Sequence, residues 1–182
     1  MNVKHSSRND SWGTPQYIVG LVKEVLGTID LDPASSMEAN KVIGAGTYYT
    51  ESDDGLYMAW GAPGSVYLNP PGGKIGNKSR CGLFWEKLMS EDFGQAIFMA
   101  FSIEALQYTQ AAGKKSILHY PFCVPSKRIR FIDPTSDAET SDLRSKARVA
   151  PSHSNVIVYV PKWIDKTESF YTAFCKLGKV RL

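Results

Sequence analysis

Apolar positions recur along this chain at helical spacing in some stretches and as short continuous runs in others, and the two kinds of stretch alternate. Ile18, Val22, Val25 and Leu26 fall on one face of a helix. Thr14 stands where an N-cap belongs, Pro15 at the first helical position and Gly27 at the stop. Thr28 to Asp32 then reads as a strand, Met37 to Ile43 as a helix, Thr47 to Thr50 as a short strand and Val66-Tyr67-Leu68 as a buried one. Leu83 to Met89 predicts a helix, and Gln95 to Phe101 a continuous apolar strand of the kind buried in parallel sheets. A helix over Ile103 to Ala112, capped by Ser102 and closed by Gly113, precedes strands at Ser116 to Tyr120, Ile129 to Ile132 and Asn155 to Val160. Glu168 to Leu177 predicts a closing helix. Strands alternating with helices in this way make an α/β layer structure, with a mostly parallel central sheet and helices on both faces.

The run Val66-Tyr67-Leu68 ends in Asn69-Pro70-Pro71-Gly72-Gly73, which continues neither strand nor helix. The strand therefore delivers Asn69 to its carboxyl end, the edge at which open α/β sheets bind ligands. Two successive prolines fix the backbone there. The Asn69 side-chain oxygen and the Pro70 carbonyl form a rigid pair of acceptors for an amino group. Gripping both hydrogens of a planar amine, such as the exocyclic amine of adenine, draws the nitrogen toward tetrahedral geometry and frees its lone pair to attack a sulfonium methyl group. Contacts of this kind, tightened in the transition state, are worth roughly 3–4 kcal/mol each by analogy with oxyanion-hole donors. The same residues serve equally as a strand-terminating turn, and the pentapeptide alone does not choose between the two.

Other stretches carry chemistry more weakly. Trp12-Gly13-Thr14-Pro15 puts an aromatic ring beside helix-terminal amides, which suits a purine and a carboxylate; Trp12 as a plain core cap fits as well. Asp32-Pro33-Ala34-Ser35-Ser36 places an acidic strand end, small turn residues and new helix amides together, a pocket for the cationic amino-acid part of a cofactor. No G-x-G-x-x-G is present, so this is not a dinucleotide fingerprint. Asp53-Asp54-Gly55-Leu56 is a turn whose carboxylates could accept from an adenine amine. Gly72 to Arg80 is glycine-rich with Lys74, Lys78 and Arg80, and predicts a mobile loop over the Asn69 pair that touches phosphates. It lacks the Walker spacing, which excludes a P-loop NTPase. Arg128 and Arg130 share one face of an alternating segment.

Length and composition narrow the class. At 182 residues and 43% hydrophobic the chain makes one globular domain, 1–182, with the polar, apolar-poor stretch 133–148 as a mobile loop. The net charge of +3 is unevenly spread: residues 1–110 hold 8 Lys+Arg against 12 Asp+Glu, and residues 111–182 hold 13 against 6. The second half is the better face for a polyanion, although a solvated basic surface explains the same excess. Cys81, Cys123 and Cys175 show neither metal spacing nor an even disulfide count. No run approaches a membrane span, and the polar start lacks a signal-peptide core, so a cytoplasmic protein without a membrane partner is expected.

Taken together, Thr14-Pro15, Leu31-Asp32-Pro33-Ala34-Ser35-Ser36, Tyr48-Tyr49-Thr50-Glu51-Ser52-Asp53-Asp54-Gly55-Leu56 with the later Trp60, and Tyr67-Leu68-Asn69-Pro70-Pro71 resemble the phage-type DNA N-6-adenine methyltransferase family in order and spacing. Arg128-Ile129-Arg130-Phe131 and Ala150-Pro151-Ser152 ahead of Asn155 are similar to its later segments. The resemblance implies a Rossmann-like class I methyltransferase that converts S-adenosylmethionine to S-adenosylhomocysteine, uses no metal, and acts on DNA in the cytoplasm of a bacterial host from a phage or prophage gene. It implies Asn69, Pro70 and Pro71 as catalytic residues. Trp12, Thr14, Pro15, Asp32, Pro33, Ala34, Ser35, Asp54, Leu56 and Asn69 would line the cofactor site, and Lys74, Lys78, Arg80, Arg128 and Arg130 would contact DNA. No obligate protein partner is implied. One departure stands out: Gly72 occupies the place of the family's aromatic, whose ring stacks on the target base. Phe84, Trp85 and Phe101 are candidates to replace it, each with a core role as the simpler reading. RNA adenine or protein glutamine as substrate, or an inactive nucleic-acid-binding module, are the alternatives that this glycine leaves open.

Overall fold

A computed structural model describes residues 12–100, 104–111, 115–132 and 154–182. Strands β1 (Leu31–Asp32), β2 (Thr47–Tyr48), β3 (Ser65–Leu68), β6 (Gln95–Ala100), β7 (Phe122–Pro125), β8 (Val156–Pro161) and β9 (Gly178–Arg181) form one sheet in the order β2-β1-β3-β6-β8-β7-β9. From β2 through β6 every pairing is parallel, whereas β8 is antiparallel to β6 and to β7, and β9 is antiparallel to β7. This is a Rossmann-like sheet with its strand reversals confined to one flank. The expected mostly parallel, two-faced architecture is therefore the one observed.

Strand alternation sorts the core into two layers. Tyr67, Ile97, Met99, Ile157 and Tyr159 face helices α1 (Gln16–Leu26) and α5 (Thr167–Phe174), against Ile18, Val22 and Phe170. Val66, Leu68, Ala96, Phe98, Val156 and Val158 face α3 (Arg80–Ser90) and α4 (Glu104–Ala111), against Phe84, Trp85, Leu88 and Ala105. Phe84 and Trp85 are thus core residues, with Trp85 edge-on to Phe98 and Tyr120 and its Nε1 donating to the Lys115 carbonyl. Neither can serve as a base-stacking platform. Phe101 and the 133–148 stretch lie outside the described residues.

Helix α2 (Met37–Ile43) begins and ends where the sequence places it, because the Ser36 hydroxyl caps the Ala39 amide and Gly44 closes the helix in the left-handed region at φ 66°. Several expectations need correction. Thr14 is not the cap of α1: Pro15 holds that position and no side chain caps the helix. Ser116 to Tyr120 is a single 3-10 turn, Ile117–His119, with Ser116 accepting from Leu118, and the strand starts only at Phe122. Ile129 to Ile132 is extended chain that bridges Gly13 rather than a strand of the sheet. The closing helix stops at Phe174, and Gly178–Arg181 returns as an edge strand. The basic stretch after Gly73 is not a loop but a hairpin of its own, β4 (Lys74–Ile75) and β5 (Lys78–Ser79), turning at Gly76-Asn77.

At the amino edge of the sheet, buried polar groups satisfy one another. Gln95 Nε2 donates to the Leu26 carbonyl and to Ser65 Oγ, and Tyr159 donates its hydroxyl to Gln95 Oε1 at 3.0 Å. This ties the end of α1 to the starts of β3 and β6 and to β8. Gln95→Leu removes two donors and an acceptor from that network, and the unpaired partners are expected to cost about 1–3 kcal/mol in urea unfolding. A loss below about half a kcal/mol would mean that water replaces the network.

Candidate active site

Strand β3 is buried along its whole length between β1 and β6, and it ends at Asn69 because Pro70 and Pro71 cannot continue the ladder. Asn69 projects on the same face as Tyr67, toward the chain entering α1. There its Nδ2 donates to the Trp12 carbonyl at 3.2 Å and to Thr14 Oγ1 at 3.4 Å. A carbonyl has no hydrogen to give, so the amide must turn its nitrogen to Trp12. Its Oδ1 is left buried and without a partner. Thr14, freed from capping, shares a 2.6 Å hydrogen bond with the Tyr67 hydroxyl. Burial, with the nearby Asp32 adding to it, raises the Tyr67 hydroxyl far above the ordinary phenol range and keeps it protonated.

Asp32 ends the neighbouring strand and is 1% exposed. Burial pushes its carboxyl up to about 7, although the Ala34 amide donates to Oδ1 at 3.2 Å and favours the charged form. The Ser35 hydroxyl lies near enough to favour the carboxylate as well, yet it makes no hydrogen bond of good geometry and is itself buried without a partner. Asp30, two residues earlier, has a different task. Its Oδ2 accepts from the Ser65 amide at 2.8 Å and fixes the start of β3.

The turn carrying Asp54 packs against the Asp32 turn. A Cβ on Gly55 would stand 1.8 Å from the Pro33 carbonyl oxygen, so only glycine allows this approach. Asp53 is occupied by the Thr50 amide and hydroxyl, whereas Asp54 is exposed, sits at φ 55° and accepts from the Leu56 amide through Oδ1. That division favours Asp54 over Asp53 as a ligand-facing carboxylate. Trp60 is buried beneath the turn, its Nε1 bonded to the Gly55 carbonyl.

The residues expected to meet DNA flank this edge from two sides. Lys74 and Lys78 lie on the hairpin that follows the two prolines, and Arg80 opens α3 at its base, donating its amide to the Gly73 carbonyl. Arg128 and Arg130 are exposed on either side of buried Ile129. Their segment reaches the site through the paired hydrogen bonds of Ile132 and Gly13, both 2.8 Å, next to Trp12.

Among the described residues, the buried side-chain polar atoms without a partner are Ser35 Oγ, Asn69 Oδ1 and Asn155 Oδ1. Asn155 precedes β8 at the end of β6, is 3% exposed, and its Nδ2 donates to the Ala100 carbonyl at 3.5 Å. All of these lie at the carboxyl edge, while the amino edge is fully paired. Unpaired buried polar groups are expensive, and each calls for a partner, whether an ordered water or a ligand. Asn155 and Tyr67 were not singled out from sequence. The available signals were a polar residue at the head of an apolar strand and a hydroxyl two positions ahead of Asn69. No group of His, Cys, Asp and Glu able to hold a metal occurs among the described residues, and none of their helices is long and apolar enough to cross a membrane.

A family model described as DNA N-6-adenine-methyltransferase (Dam) matches residues 2–149. The chain belongs to that family. Among solved structures, the chain is similar to a putative class I S-adenosylmethionine-dependent methyltransferase from Listeria monocytogenes, at 12% identity and a TM-score of 0.47, over 89% of this chain and 64% of that one. No curated protein matches.

A buried carboxyl raised from its ordinary value to about 7 costs folding stability once it ionises. The unfolded group loses its proton near pH 4 and the folded one near pH 7, so stability falls as pH rises through that window. Asp32→Asn should therefore raise the thermal midpoint of the ligand-free protein at pH 8, with the gain shrinking toward pH 4. A difference that does not change with pH would place the Asp32 carboxylate in water.

Proposed function

We propose that the protein transfers a methyl group from S-adenosylmethionine to the exocyclic amine of an adenine extruded from DNA, in the cytoplasm of a bacterial host. The observation that carries this reading is the orientation of Asn69, whose nitrogen is tethered and whose oxygen is buried and unpartnered. The amine of adenine offers two hydrogens, and the Asn69 Oδ1 with the Pro70 carbonyl accept them. Both acceptors are held before the substrate arrives, so little reorganisation is needed at the moment of reaction. Extrusion is required because the amine is unreachable inside the duplex.

The residues beside Asn69 suit the cofactor. The buried, proton-hungry Asp32 would hold its ammonium group, the unpartnered Ser35 hydroxyl a further polar atom, and the Asp54–Leu56 turn its adenine. Trp12, Thr14 and Pro15 would lie at the amino-acid end, and Pro33 and Ala34 would shape the turn for close approach. Bound there, S-adenosylmethionine supplies an electrophilic methyl group. This chain binds and orients both partners, and the amine's surplus proton passes to water, so neither a metal nor a side-chain base is needed.

Gly72 is the observation that favours a second reading, in which the planar amine belongs to RNA adenine or to a protein glutamine, since no ring follows the prolines to select a DNA base. Labelled cofactor offered separately to DNA, RNA and protein fractions decides between them, and label in none alongside absent cofactor binding would indicate an idle, nucleic-acid-binding member of the family.

Asn69→Ala is expected to abolish methylation of DNA while leaving cofactor affinity within a few-fold, by radiometric assay and calorimetry respectively; near-normal turnover would refute the role given to Asn69. Asp32→Ala should weaken cofactor binding by roughly tenfold or more, as loss of a buried charge partner does. Wild-type affinity should itself rise with pH up to about 7, as the Asp32 carboxyl loses its proton.

A further inference from the structure

The hairpin β4–β5 leaves the sheet three residues after Pro71 and forms a separate two-stranded ribbon. Its shape is fixed. Gly76 at φ 58° opens a two-residue turn, Lys74 pairs with Ser79, Ile75 pairs with Lys78, and the Arg80 amide closes the base on the Gly73 carbonyl. Every residue from Gly73 to Lys78 is exposed. Ile75, next to the turn, leaves 48% of its surface in water. Opposed residues share a face of the ribbon, so Ile75 lies beside Lys78 on one face while Lys74 lies on the other. Between Gly72 and Arg80 there are three cations and no acid. The Lys78 ion pair with Glu86, 3.8 Å between exposed groups, is weak enough to be exchanged for a phosphate.

A basic ribbon with a bare β-branched side chain beside its turn has the shape and charge of a DNA-inserting element. A two-stranded ribbon fits the major groove, and proteins that unstack bases do so with apolar side chains such as isoleucine. We propose that the Lys74–Ser79 hairpin enters the duplex beside the target and lodges Ile75 in the stack at the place the adenine vacates, with Lys74, Lys78 and Arg80 on the flanking phosphates. The proposal rests on the DNA reading above and adds the device that holds the base out. It also answers the absence of a ring at Gly72: the stacked state is made less favourable by filling its place, rather than the extruded state more favourable by stacking on an aromatic.

The test compares two synthetic duplexes around an adenine mapped by methyl-sensitive sequencing of DNA from expressing cells. One pairs that adenine with thymine and the other sets it opposite an abasic site, where extrusion is nearly free. Ile75→Ala should lower kcat/KM on the paired duplex roughly ten- to a hundredfold and leave the abasic duplex within about twofold, with Ile75→Leu close to wild type. Lys74→Ala and Lys78→Ala should weaken both duplexes alike and each lower the salt slope of binding by about one. Equal effects of Ile75→Ala on the two duplexes, or none on either, overturn the insertion. A wild-type protein that methylates neither duplex overturns the DNA reading itself and the hairpin's role with it.

Discussion

The tether between the Asn69 amide nitrogen and the chain entering α1 is the contact on which the arrangement of this molecule turns. One end is fixed by β3, buried between two parallel neighbours and stopped by two prolines; the other is fixed by Pro15 at the head of α1 and by the Gly13–Ile132 bridge. Holding the nitrogen in this way commits the oxygen to a buried position with nothing to accept from. The same tether takes Thr14 away from helix capping and gives it to Tyr67 and Asn69. A cap is worth about 1 kcal/mol, so a helix start without one, beside a threonine used elsewhere, is a local rule broken for another purpose.

The two edges of the sheet divide the work. At the amino edge Gln95, Ser65 and Tyr159 satisfy each other and hold four elements in register. At the carboxyl edge stand a buried Asp32, whose carboxyl burial raises to about 7, and three unpartnered polar atoms. Each such group costs about 1–3 kcal/mol, and the fold tolerates the sum because the opposite edge and the two apolar layers are complete. The strained edge is also where the family's sequence segments meet. Residues far apart in the chain, from Trp12 to Ile132, converge there through β1, β3 and the bridge.

The residue after Gly72 has a structural consequence of its own. Gly73, at φ 82°, lets the chain leave the prolines and turn at once into a hairpin. The glycine-rich, basic composition that predicted a mobile loop therefore has a more specific outcome. Composition reports that a segment is exposed and flexible in its unfolded state; whether two short runs find each other across Gly76-Asn77 depends on pairing that composition does not record.

Periodicity and turn chemistry by themselves determined the alternation of strands and helices, the bounds of α2, the buried character of β3 and β6, and the delivery of Asn69 to a strand end, because each follows from interactions within a few residues. Sequence also placed Asp32 and the prolines together with the family's segments. Only the tertiary structure decided that Asn69 turns its oxygen away from Trp12, that Asp30 is engaged by the Ser65 amide, and that Phe84 and Trp85 belong to the core. It alone showed that Ser116 to Tyr120 is a turn and that the chain returns as an edge strand after α5. Those outcomes depend on which surface lies across the gap from each residue, and partners that are 35 to 57 positions distant leave no trace in local pattern.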